Sequence, residues 1–89
     1  MLCRMDAAEE TLAIGRVRSW LRTGRARAVR ERAGMSQADV GLAVGSDPAQ
    51  ISRWETGVYS PTRRSALKLA RLYDGMEEII RDETTGERS

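Results

Sequence analysis

At 89 residues, with 40% hydrophobic and 31% charged side chains, the chain has room for one small globular domain with a modest core. It has no histidine and a single cysteine, Cys3, which excludes an intramolecular disulfide and leaves no ligand set for zinc or another resident cofactor. The formal charge is only +2, no apolar run reaches membrane length, and the polar, acidic start does not read as a signal peptide, so a reducing, cytoplasmic setting is expected.

That small net charge hides an uneven distribution. Residues 16–32 hold Arg16, Arg18, Arg22, Arg25, Arg27, Arg30 and Arg32 against Glu31 alone, whereas residues 74–89 are rich in Asp and Glu. Lys68 is the one lysine; every other basic residue is Arg. The planar guanidinium fork suits phosphate, so the bias favours a nucleic-acid partner, with a GC-rich genome as the other source of the same bias. Ala, Leu, Arg and Glu dominate while β-branched and aromatic residues are sparse, which points to an all-α fold.

In chain order, Asp6 and Glu9 form a capping-box pattern that opens a helix to about Arg22, with Leu12, Val17, Trp20 and Leu21 as its apolar side. Thr23-Gly24 ends it. A second helix spans about Arg25–Ala33, with Val29 and Ala33 inward and Gly34 as its stop. Ser36 caps a third, about Gln37–Val44, carrying Val40 and Val44 on one face and ending at Gly45. Asp47 caps a fourth, with Pro48 at the first helical position and Gln50 where a capping box would close; it ends at Gly57. After "VYS" and Pro61, a fifth helix covers about Thr62–Tyr73, with Leu67, Ala70 and Tyr73 inward and Leu69 and Leu72 nearby. Asp74 and Glu77 resemble a further capping box, opening a short helix through Ile79 and Ile80. The expectation is a five- or six-helix bundle: a helical extension over 1–24, one domain over 25–82, and a disordered tail over 83–89.

Two short helices, 37–44 and 48–56, joined by a tight glycine turn have the dimensions of a helix-turn-helix unit. The residues of that segment, "AGMSQADVGLAVGSDPAQISRWETGVYSP" (33–61), resemble the lambda-repressor/Cro-like (XRE-type) helix-turn-helix domain. The resemblance rests on Ser36-Gln37, Val40, Gly45, Ile51-Ser52, Glu55-Thr56-Gly57 and Pro61, all in register, and covers about residues 25–80. It implies a lambda-repressor-like bundle in which helix 48–56 enters the DNA major groove. Two features depart from the family pattern. Gly41 stands where Ala is usual, and Pro48-Ala49 stand where long polar residues often open the recognition helix.

On helix 48–56, Ile51 and Trp54 face inward, leaving Ala49, Gln50, Ser52 and Arg53 for base edges. Arg53 can pair with guanine O6 and N7, with a phosphate contact or a solvated side chain as the alternatives. Gln50 can reach adenine or phosphate, or complete the cap with Asp47. Ser52 can bond a base or simply permit close approach, and Ala49 can touch a thymine methyl. The resemblance implies that Gln37 contacts phosphate and that Arg30 and Glu55 form a structural ion pair. Thr56, Tyr59, Arg63 and Arg64 flank the motif as phosphate-binding candidates, and the arginines of 16–32 contact flanking DNA or form a solvated face. Trp20 with Leu12, Val17 and Leu21 packs on the domain or forms a dimer interface.

No nucleophile–base constellation is present, so an enzyme is not expected. The function implied is a sequence-specific, double-stranded-DNA-binding transcriptional regulator, similar in size to small phage Cro-type repressors. It acts in the bacterial host cytoplasm without a small-molecule substrate or a membrane, and a homodimer is one arrangement it allows. The alternatives are an antitoxin-like helix-turn-helix module that docks a partner protein, and a nonspecific architectural protein.

Overall fold

Every helix start among the described residues except the one after Gly24 is held by a side chain that accepts a backbone N–H. The structure, a computed structural model, describes residues 6–87 and comprises α1 (Ala7–Thr23), α2 (Arg25–Arg32), α3 (Gln37–Val44), α4 (Pro48–Glu55) and α5 (Arg63–Glu87), with no strand among the described residues. Cys3 lies outside them. Asp6 Oδ1 accepts the Glu9 N–H at 2.8 Å while Glu9 Oε1 accepts the Asp6 N–H at 3.1 Å, a reciprocal box that satisfies two donors otherwise orphaned at the start of α1. Ser36 and Asp39 do the same for α3, at 3.0 and 2.9 Å. At α4 the box is only half made. Asp47 Oδ1 accepts the Gln50 N–H at 2.8 Å, but the Gln50 side chain turns away to accept from Arg53 at 3.3 Å instead of returning to Asp47.

The core is one cluster shared by all five helices. α1 supplies Ala13, Ile14, Val17 and Leu21; α2 Ala26 and Val29; α3 Val40 and Val44; α4 Ile51 and Trp54; α5 Ala66, Leu69, Ala70, Tyr73 and Met76. On α1 the expected apolar side is rotated, because Leu12 is 73% exposed. Ile14, Val17 and Leu21, spaced three and four apart, lie on one stripe, and Leu12, two residues from Ile14, falls on the far side of the helix. On α5 the inward stripe runs through Leu69, whose neighbours Leu67 and Leu72 are only half-buried.

α5 is also a single helix, where Asp74 and Glu77 were expected to start a new one. The two acids are drawn into tertiary pairs: Arg16 Nη2 reaches Asp74 Oδ1 at 2.8 Å and Arg25 Nη2 reaches Glu77 Oε2 at 3.4 Å. Gly75 in mid-helix costs about 1 kcal/mol in propensity. Fully buried Met76, next to it, offsets that by about 1.5–3 kcal/mol, so the helix continues. It runs on to Glu87, into the segment expected as a tail. α1, expected as an extension, lies against α5 and α2 and so orients the bundle from which α3 and α4 project. No helix among the described residues is long and apolar enough to cross a membrane.

Candidate nucleic-acid interface

The turn between α3 and α4 is built on two glycines. Gly45 ends α3 in the left-handed region, at φ 79°. Its N–H and that of Ser46, the latter at 2.8 Å, both donate to the Gly41 carbonyl. Gly41 itself is where the turn folds back on α3: a β-carbon there would overlap the Ser46 carbonyl oxygen. The departure from the family's usual Ala therefore has a steric cause. In this chain the turn passes too close to α3 for any side chain.

α4 is fixed by one face and open on the other. Ile51 and Trp54 are buried in the core, whereas Ala49 and Arg53 are exposed and Gln50 and Ser52 half-buried. Arg53 Nη1 donates to Gln50 Oε1 at 3.3 Å, which aligns the two longest polar side chains of the open face. Three of the four groups that face outward are thus polar, and Ala49 adds a small apolar tip beside Pro48.

Glu55, at the end of α4, is the electrostatic hub. Its side chain is 2% exposed and accepts three hydrogen bonds: from Arg30 Nε at 2.6 Å, Arg30 Nη2 at 3.0 Å and Gln37 Nε2 at 3.2 Å. Arg30 is 8% exposed and uses its remaining donor, Nη1, on the Met35 carbonyl at 3.0 Å. One carboxylate thereby ties α2, the start of α3 and the end of α4 into a single unit. The hydrogen bonds to Glu55 raise the Arg30 pKa above its ordinary value against the opposing effect of burial, so the guanidinium stays charged. Nearby, burial pushes the Tyr73 phenol upward and the Glu55 charge adds to the shift; the Tyr73 hydroxyl has no hydrogen-bond partner among the described residues. At the start of α3, the N–H and hydroxyl of Ser36 hold the Asp39 carboxyl below its usual range.

Of the other site candidates, Gln37 is half-buried at the first position of α3, with one amide N–H committed to Glu55 and the other left over. Thr56 and Tyr59 are exposed in the segment after α4, Thr56 donating to the Arg53 carbonyl at 3.3 Å. Arg63 is turned toward α1, where its Nη2 meets Glu10 Oε1 at 3.1 Å, while Arg64 is exposed and has no partner among the described residues. The basic stretch is partly neutralised within the fold. Arg16, Arg25 and Arg30 pair across the fold and Arg27 pairs with Glu31 at 3.2 Å, leaving Arg18, Arg22 and Arg32 without carboxylate partners among the described residues. Arg16 and Arg25 also lie 5.8 and 4.7 Å from the Trp20 ring, which in turn packs 5.8 Å from Tyr73. The Arg16 and Arg25 pairings have no local sequence signal; the acids that receive them lie some fifty residues away on α5.

Two short helices at this spacing, one buried along its inner face and carrying free polar groups on its outer face, define a helix-turn-helix protein of the DNA-binding class. A family model described as helix-turn-helix matches residues 27–78, more than half of the chain, and the chain belongs to that lambda-repressor/Cro-like (XRE-type) family of DNA-binding regulators. No curated protein and no solved structure matches the chain. α1 lies before the matched residues.

Proposed function

We propose that the protein is a sequence-specific transcriptional regulator of the Cro/repressor type, a binding protein and not an enzyme, which acts in the cytoplasm beside the DNA and sets α4 into the major groove. The observation that carries this is the division of α4: Ile51, Trp54 and Glu55 are fixed to the body of the protein, while Ala49, Gln50, Ser52 and Arg53 are left outward together. Arg53 pairs with a guanine edge and Gln50, already bonded to it, reads or positions the neighbouring base; a bidentate contact of this kind contributes ~1–3 kcal/mol of discrimination. Gln37 grips a phosphate with its second amide N–H, helped by the free N–H groups of the first turn of α3. Thr56, Tyr59 and Arg64 hold the backbone beyond the other end of α4. Arg63 joins them when it leaves Glu10, an exposed pair of low strength. Asp47, close to this surface, is occupied by the Gln50 N–H, which reduces its repulsion of phosphate.

The test is a titration of duplex DNA at increasing salt. A regulator of this type binds a preferred duplex with an affinity that falls steeply between about 50 and about 200 mM salt as counterions are released. Absence of binding to any duplex at about 50 mM salt contradicts the proposal and favours an antitoxin-like module that docks a protein. Equal binding to scrambled duplexes marks a nonspecific architectural protein.

A further inference from the structure

Arg18, Arg22 and Arg32 are the arginines of α1 and α2 without a carboxylate partner among the described residues, and the first two form a pair on α1. These two lie one turn apart on the same side of α1, both exposed; Arg16, Arg25, Arg27 and Arg30 each have a carboxylate partner. Like charges at this spacing disfavour a helix, a cost offset only in part by the place of Arg22 in the last turn of α1. The two open onto a groove of about 230 Å³ whose other walls are Leu21, Trp54, Gly57, Tyr59, Ser60 and Pro61, with no acidic residue among them. By contrast, the groove beside Arg25 includes Glu77, to which Arg25 is bonded. The unlined positive charge is accompanied by unused donors: the hydroxyls of Tyr59 and Ser60 make no hydrogen bond among the described residues, and the buried Trp54 Nε1–H has no acceptor. The apolar walls formed by Leu21, Trp54 and Pro61 lower the local dielectric and strengthen the field of the two guanidinium groups.

The groove lies against the segment that leaves the end of α4. We propose that Arg18 and Arg22 of α1, together with Tyr59 and Ser60, form a phosphodiester-binding subsite that holds the DNA backbone beyond the bases read by α4. It rests on the DNA-binding function proposed above. Because α1 precedes the residues that match the family, this contact widens the footprint beyond the matched segment. Guanidinium forks bond phosphate oxygens in pairs, and the hydroxyls add single bonds to the same strand.

The whole 89-residue chain tests this on its preferred duplex, with three proteins compared: wild type, Arg18→Ala/Arg22→Ala, and Lys68→Ala/Arg71→Ala, which removes the same charge from an exposed face of α5. The slope of log affinity against log salt should become shallower by about 2 in the α1 variant, so that its loss of affinity between about 50 and 200 mM salt is about 10-fold smaller than that of wild type. The preferred sequence should be unchanged and the melting temperature no lower than that of wild type. The Lys68/Arg71 variant should keep the wild-type slope. Ethylation of the flanking phosphates should interfere with wild-type binding and not with that of the α1 variant. An α1 variant with wild-type slope and wild-type ethylation pattern overturns the subsite and leaves DNA binding by α4 standing. Equal slope changes in both double variants also overturn it, since net charge alone would then account for the effect. Failure of wild type to bind any duplex removes the DNA-binding function and the subsite together.

Discussion

Removing Glu55 should be the most damaging single change at the interface, and its size can be worked from the structure. In Glu55→Ala, Arg30 loses two hydrogen bonds and its counter-charge while remaining at 8% exposure, and Gln37 loses its anchor. Breaking a buried pair by deleting one partner costs about 3–5 kcal/mol, because a charge is left without compensation. For a domain of this size that is a large fraction of the total stability and corresponds to roughly 15 °C or more in Tm. The exposed pair Arg27–Glu31, at 64% and 56% exposure, provides the internal scale: Arg27→Ala should cost under about 0.5 kcal/mol. Urea unfolding of both variants, followed by circular dichroism, gives the comparison. The double variant Arg30→Met/Glu55→Leu should recover most of the loss, apart from about 1 kcal/mol for the Met35 carbonyl that Arg30 no longer satisfies. If Glu55→Ala costs no more than Arg27→Ala, the carboxylate does not act as the joint between α2, α3 and α4.

Two further outcomes follow from the geometry. Gly41→Ala should destabilise the fold by about 1–3 kcal/mol although it improves helix propensity, because the added methyl meets the Ser46 carbonyl; denaturant unfolding checks the sign, and a more stable variant refutes the close approach. Tyr73 has a raised pKa, so its folded state favours the protonated phenol: the stability this contributes is complete below the unfolded value near 10 and is lost as pH rises above it. Unfolding measured from about pH 8 upward should show that alkaline loss in the wild type and a flatter curve in Tyr73→Phe, and identical curves would contradict the burial of the phenol.

Much of this molecule is legible in local sequence, and the reason lies in how its helices end. Asp6, Ser36 and Asp47 satisfy orphan N–H groups next to themselves in the chain, so the starts of α1, α3 and α4 could be read without knowing the fold. The Gly45 stop is equally local. What could not be read depends on distant partners. The Asp74–Glu77 pattern has the form of a cap, but Arg16 and Arg25 take both acids and Met76 is buried, so α5 runs through. The side of α1 that is buried is decided by its packing on α5, which favours Ile14 over Leu12. The same holds for the site. The open face of α4 follows from its apolar spacing, and the Glu55 joint follows from a family resemblance. Which arginines stay unpaired depends on where α4 and α5 place their acids, and nothing near Arg18 or Arg22 in the chain signals it.

The central claim, that the outer face of α4 reads base sequence chiefly through Arg53, is tested most directly by selecting bound duplexes from a random pool with the wild type and with Arg53→Ala. The wild type should enrich one motif, and the variant should lose preference at one or two guanine-containing positions while keeping the rest, a change of about 1–3 kcal/mol at those positions. An unchanged motif in Arg53→Ala would contradict that assignment.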